Sequence, residues 1–237
     1  MRRVLMFPFI VAAALGALTF VASRQAEGQA DGWTADFPVY KADLASTGRN
    51  TYFILEPGHT LGLRGGNDEL IITVLNETKQ VDGVETRVVE ERHTKGGKLV
   101  EVARNYFAIN KRTNDVYYFG EDVDNYKDGK VINHDGTWHS GVNGAKFGLM
   151  MPGRPSVNMR YYQEVSPKVA MDRARIISVT EKLKTKAGTF TNVLKVEETT
   201  PLEPSVTDYK YYAPGIGMVS DGEMKLVKVI KAGGPKK

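Results

Sequence analysis

Residues 69–94 read ELIITVLNETKQVDGVETRVVEERHT. Two runs rich in Ile, Val and Thr flank Asp82-Gly83. Asp-Gly between such runs favours the tight hairpin turn whose two central residues sit at positive φ, so the stretch predicts an antiparallel hairpin. On the returning arm, Thr86, Val88, Glu90 and Arg92 fall on one face and Arg87, Val89 and Glu91 on the other, because successive strand side chains point to opposite sides.

The same grammar extends outward. Gly96-Gly97 turns the chain into Lys98–Asn110, and Thr113-Asn114-Asp115 turns it again into Val116–Phe119. Upstream, Tyr52–Leu55 and His59–Arg64 are short apolar runs bounded by Pro57-Gly58 and Gly65-Gly66. Alternation returns in Arg173–Lys186, Phe190–Thr199, Val206–Ala213, Ile216–Ser220 and Glu223–Lys231, divided by Ala187-Gly188, Pro214-Gly215 and Asp221-Gly222. Sequential strands joined by tight turns pair with their neighbours. The expectation is a mainly β fold with little helix. It is one curved antiparallel sheet, a half-barrel or barrel-like meander, over residues 51–231.

Residues 120–172 interrupt this pattern with Gly-rich turns and Pro152, Pro155 and Pro167. GAKFGLMMPG, residues 144–153, reads as loop, Met159–Glu164 as a short strand, and 141–172 as a cover over a binding face. The acidic run Glu121–Gly129 reads as a solvated loop, since Lys127 interrupts it and Asn133 stands where a calcium loop places its glutamate.

The ends carry separate expectations. Arg2-Arg3, the apolar stretch Val4–Ala22 and the small-residue exit Gly28-Gln29-Ala30 predict a signal peptide over residues 1–30. An uncleaved membrane anchor is the alternative. A periplasmic or secreted protein of bacterial type follows. Residues 31–50 read as a linker or wrapping segment whose aromatics dock on the domain, and 232–237 as a flexible tail. With no cysteine, disulfides, thiol catalysis and thiolate metal sites are excluded. The net charge of +4 is scattered among both signs and gives no nucleic-acid footprint.

No catalytic residue stands out. Ser140, between His139 and Gly141, lacks the G-x-S-x-G elbow. His134, Asp135 and His139 leave a metal-dependent hydrolase as the weaker alternative; their spacing is not diagnostic of a metal site, and no metal or other cofactor is expected. Adjacent aromatics on the strands are more informative, because each pair sends one ring inward. Tyr106, Tyr118, Tyr162 and Tyr212, with Met150 in the cover, are the candidate ligand-binding residues.

Ala187-Gly188-Thr189-Phe190, Val193–Val196 and Tyr211-Tyr212-Ala213-Pro214-Gly215-Ile216-Gly217-Met218-Val219 resemble exported bacterial proteins of unknown function. Those look like curved antiparallel sheets in the manner of the half-barrel lipoprotein carriers of the Lol type. The resemblance covers residues 180–231 and implies binding of an apolar small molecule or lipid, with no catalytic residues. The alternative is an envelope module that binds a protein through Trp33–Tyr40 or a strand edge.

Overall fold

The computed structural model describes residues 32–233. The expected leader lies outside the described residues, as do residues 234–237 of the tail. Residues 32–56 form a strap that starts beside Tyr161 and ends packed into one end of the barrel. It holds one 3-10 turn, Lys41–Asp43, and the short strands β1 (Leu44–Ala45), β2 (Gly48–Arg49) and β3 (Ile54–Leu55). The meander follows: β4 (Thr60–Gly65), β5 (Asp68–Val81), β6 (Val84–Lys95), β7 (Lys98–Asn110) and β8 (Val116–Lys127), each antiparallel to the one before. The hairpin turn at Asp82-Gly83 has φ of 49° and 71°, and Val81 faces Val84 across it.

Next come β9 (Lys130–Asn133), β10 (Trp138–His139), β11 (Lys146–Met151), β12 (Arg160–Tyr162) and β13 (Glu164–Val165). A second meander comprises β14 (Arg173–Thr185), β15 (Gly188–Thr199), β16 (Thr207–Ala213), β17 (Gly217–Asp221) and β18 (Met224–Ile230). β18 pairs antiparallel with β4, which joins the two meanders into one sheet.

The remaining edges meet at a seam. Residues 160–165 form one extended stretch bent at Gln163. β12 pairs with β14, and β13 pairs with β11, so a single short segment joins both edges and the sheet becomes a nearly closed barrel. Thr34 of the strap adds a parallel bridge at Tyr161.

Here the middle segment departs from expectation. Residues 146–151 are strand, not loop, whereas the short strand expected at Met159–Glu164 is present as β12 and β13, in the wall and not in a cover. Glu121 to Lys127 is likewise strand, held by pairing of residues 121–125 with 101–105 of β7. Gly148 reads as a breaker in the sequence, but it marks a close backbone approach: a Cβ there would lie 2.4 Å from the Gln163 carbonyl oxygen.

Along the inward-facing positions of the strands the interior divides into an apolar half and an acidic half. At one end Leu61, Leu63, Val74, Val89, Ile176, Leu194, Val196, Val219 and Leu226 pack with almost no exposure. The strap plugs this end. Asn50 Nδ2 donates to the carbonyls of Asn114 (2.8 Å) and Pro152 (3.0 Å), Gly215 N–H donates to Thr51 O (2.8 Å), and the Tyr52 hydroxyl donates to Asn192 O (3.2 Å).

Arg87 ties the strap to the wall. It is buried, and its guanidinium donates to Ser46 O (2.9 Å), Thr47 Oγ1 (2.6 Å), Glu77 O (3.2 Å) and Leu75 O (3.4 Å), the last two at the bulge in β5. Arg87→Met removes four donor contacts at once and is expected to cost about 3 kcal/mol, read as a lower urea midpoint at unchanged slope. An unshifted midpoint would show that the strap is held without it.

Candidate functional site

The opposite end of the barrel is lined with carboxylates. Register pairing puts Glu91 opposite Ala103, His93 opposite Glu101, and Asn105 opposite Glu121, all on the inner face. On the far wall Glu198 pairs with both Ala174 and Asp208, and Lys210 with Asp221. Glu164 arrives from the seam, and Asp172 precedes β14. Asp68 joins at the rim, with its carboxylate 2.9 Å from His93 Nε2. Asp172 and Asp208 are exposed, Glu91, Glu101, Lys210 and Asp221 are half-buried, and Glu121 and Glu164 are buried. The carboxylates thus run from the rim down into the core.

Their contacts are specific. Lys210 Nζ sits 2.7 Å from Glu198 Oε2, and Gln163 Nε2 donates to Glu198 Oε1 at 2.9 Å. The backbone N–H of Asp172 donates to Glu164 Oε1 at 2.7 Å. The Tyr118 hydroxyl donates to Asn105 Oδ1. Tyr118 also stacks on Phe107 and meets Trp138 edge-on, with centroids 4.7 and 5.1 Å away.

Three aromatic side chains among the described residues carry a buried polar atom with no hydrogen-bond partner. They are Tyr161 and Tyr212, each 1% exposed, through their hydroxyls, and Trp138, 4% exposed, through its indole N–H. Tyr161 and Tyr212 lie in the field of Glu198. An unpaired buried hydroxyl costs about 1–3 kcal/mol, so such groups ask for an explanation at the place where they cluster.

Electrostatics follow from burial and crowding. Burial, reinforced by Asp221, Glu101 and Glu198, pushes Glu91 up to about 7 against the pull of Lys210. Burial and the neighbouring Glu101 push Glu121 up to about 8. Asp172 keeps contact with solvent at the acidic end, yet desolvation by the surrounding protein, with Glu198 nearby, raises it to about 6. Burial with Asp172 lifts Glu164 well above the carboxylate range. Burial works against the Lys210 ammonium, but Glu198 and Asp221 outweigh it. The lysine therefore stays charged while several carboxyls hold protons near neutrality.

Of the residues singled out from sequence, Tyr118 and Tyr212 lie inside the barrel at the base of this acidic end. Tyr106 bonds to Asp122, which also holds Lys79 (2.7 Å) and His139 (2.8 Å). Burial would raise Asp122, but the hydrogen bonds from Lys79 and Tyr106 keep it below its ordinary value. Met150 lies half-buried with its sulfur 3.5 Å from Gln163 Nε2, and Tyr162 meets Trp33 of the strap at 6.5 Å. The five are therefore not one constellation.

His134 bonds Asp124 while His139 bonds Asp122, so the two histidines serve different carboxylates. Among the described residues no three His, Cys, Asp or Glu side chains converge as a metal site. A groove of about 510 Å³ lies between the strap and β11, lined in part by Asp36, Phe37, Asp82, Ser140 and Lys146. Its polar groups already satisfy one another: Ser140 bonds Asp82 (2.9 Å) and Lys146 bonds Asp36 (3.0 Å).

Sequence reasoning misses the acidic end because its members sit singly on separate segments. A signal is present in the returning arm of the first hairpin, where Glu91 shares a face with Val89. No family model, curated protein or solved structure matches this chain.

Proposed function

We propose that the protein is an exported binding module whose ligand sits in the acid-lined end of the barrel. The observation that carries this reading is the pair of unpartnered hydroxyls, Tyr161 and Tyr212, buried beside Glu198 within a ring of carboxylates. Buried polar groups without partners destabilise a fold, and their concentration in one place is a mark of binding sites. The resemblance of the C-terminal hairpins to half-barrel carriers supports the same role.

The geometry narrows the ligand. The apolar half is filled by the protein's own side chains and plugged by the strap, so a wholly apolar guest has no seat there. A ligand with a polar head, entering at the acidic rim, fits better. The reading as an envelope module using Trp33–Tyr40 has less support. Trp33 packs on Tyr162 and under Arg173, whose guanidinium lies 4.6 Å from the ring, and Phe37 packs on Tyr117 at 6.0 Å. Those aromatics are already engaged with the barrel.

Native mass spectrometry of protein purified from an envelope extract tests the proposal. Wild type is expected to carry a small-molecule adduct that disappears on denaturation, and a folded Glu91→Gln/Asp172→Asn variant is expected to lose it. A bare mass for wild type, or the same adduct on both proteins, would overturn the reading.

A further inference from the structure

We propose that the acid-lined end takes a small organic polycation, a linear polyamine, held by carboxylates and aromatic rings together. This inference rests on the binding reading above and names the ligand class for that same site.

Charge is the first argument. Asp68, Glu91, Glu101, Glu121, Glu164, Asp172, Glu198, Asp208 and Asp221 lie on the inner face of the acidic end or at its rim. The basic groups that face them are Lys210, His93 and, at the rim, Lys95, which lies 3.8 Å from Asp68. Nine carboxyl groups thus face two lysines and one histidine, and burial makes that imbalance costly unless protons or a guest offset it.

Spacing is the second. A bound metal ion needs several oxygens converging on one point. These carboxylates are instead distributed around the wall, and no three converge as a metal site among the described residues. A chain of amines separated by methylenes matches distributed charge, whereas a compact ion does not.

The acid-lined end, moreover, already holds one primary ammonium. Lys210 reaches Glu198 at 2.7 Å and feels Asp221 and Tyr212. Among the described residues no lysine ammonium comes as close to Glu91, Glu101 or Asp172. A second and third amine placed among them would repeat the same chemistry.

Aromatic character points the same way. Tyr118, Tyr161, Tyr212 and Trp138 are buried among or beneath the carboxylates, and their ring faces attract cations. The Tyr161 and Tyr212 hydroxyls can accept from N–H donors, which a polyamine has in excess.

The test is calorimetric titration of the full chain with spermidine at pH 8, with magnesium chloride at matched ionic strength as the compact-cation control. Spermidine is expected to bind one to one, with magnesium competing weakly. Glu91→Gln and Asp172→Asn should each weaken it roughly tenfold or more while circular dichroism and Tm show an intact fold. Binding should release protons into the buffer, seen as heats that depend on buffer ionisation enthalpy. Absence of heat, equal displacement by magnesium, or indifference to both substitutions would overturn the polyamine assignment. If spermidine fails yet the native adduct is present and lost in the double variant, the binding role stands and only this ligand class falls.

Discussion

Gly148→Val opens the barrel. Gly148 sits where the seam segment leaves the β14 edge and joins β11, opposite residues 162–163. A Cβ at that position falls 2.4 Å from Gln163 O and 2.5 Å from Tyr162 O, both backbone atoms that cannot rotate away. The seam must shift outward, which uncovers Tyr161 and breaks the hydrogen bond from Gln163 Nε2 to Glu198. The expected loss exceeds about 4 kcal/mol, above the usual cost of overpacking because two pairings fail together. Hydrogen exchange should show residues 160–165 unprotected, and a dye for exposed apolar surface should bind. Gly144→Ala supplies the contrast. There φ is +79° and no atom lies within 4 Å, so only left-handed strain of about 1 kcal/mol is expected. Equal losses at both sites would show that backbone conformation, not the close approach, governs Gly148.

The second large effect is a stability that falls as pH rises. Folding lifts Asp172 to about 6, Glu91 to about 7 and Glu121 to about 8. Between the unfolded carboxylate range and these values the native state binds more protons than the unfolded chain. The slope of unfolding free energy with pH is therefore negative there. The stabilisation is complete below pH about 4.5 and is lost progressively up to pH about 8. The paired acids run the other way: Glu56 beside Arg49, Glu197 beside Arg175 and Asp122 beside Lys79 are held below their ordinary values, and their contribution fades in acid. A maximum near pH 5 follows. A tenfold change in a carboxyl's proton affinity corresponds to about 1.4 kcal/mol, but solvent screening discounts exposed Asp172 and the repulsion these acids share counts once and not in each shift. The loss from pH 5 to 8.5 is therefore on the order of 4 kcal/mol, or roughly 10 °C in Tm. Glu121→Gln should remove a large part of that slope and raise Tm at pH 8. A flat or rising Tm over this interval would show that the interior carboxyls titrate freely.

The hairpins are legible in the sequence because their signals are local. Asp82-Gly83 and Gly96-Gly97 adopt the positive φ values that their residue types invite, and the strands between them alternate cleanly. The seam is not legible. Its pairings involve two- and three-residue strands with Gly and Pro around them, and they exist only because two sheet edges arrive at the same place. The same reason hides the functional end. A glutamate alternating with valine on an isolated strand reads as a solvated face. Closure turns that face inward, and only then do Glu91, Glu121 and Glu198, more than 100 residues apart at the extremes, share one space. Tyr118 and Tyr212 can be named from sequence because aromatic pairs on strands must send one ring inside; which other groups they meet depends on the closure.

Pairing of Thr60 with Ile230 closes a loop that spans most of the described chain. Each meander builds from neighbours and forms quickly, whereas this contact must overcome the entropy of bringing distant segments together. A chain with both meanders formed but β4 and β18 still apart would show two unpaired edges, each able to recruit another copy. Refolding yield should therefore fall steeply with protein concentration, and joining residues 231 and 60 by circular permutation should relieve it, since the slowest encounter would become a hairpin.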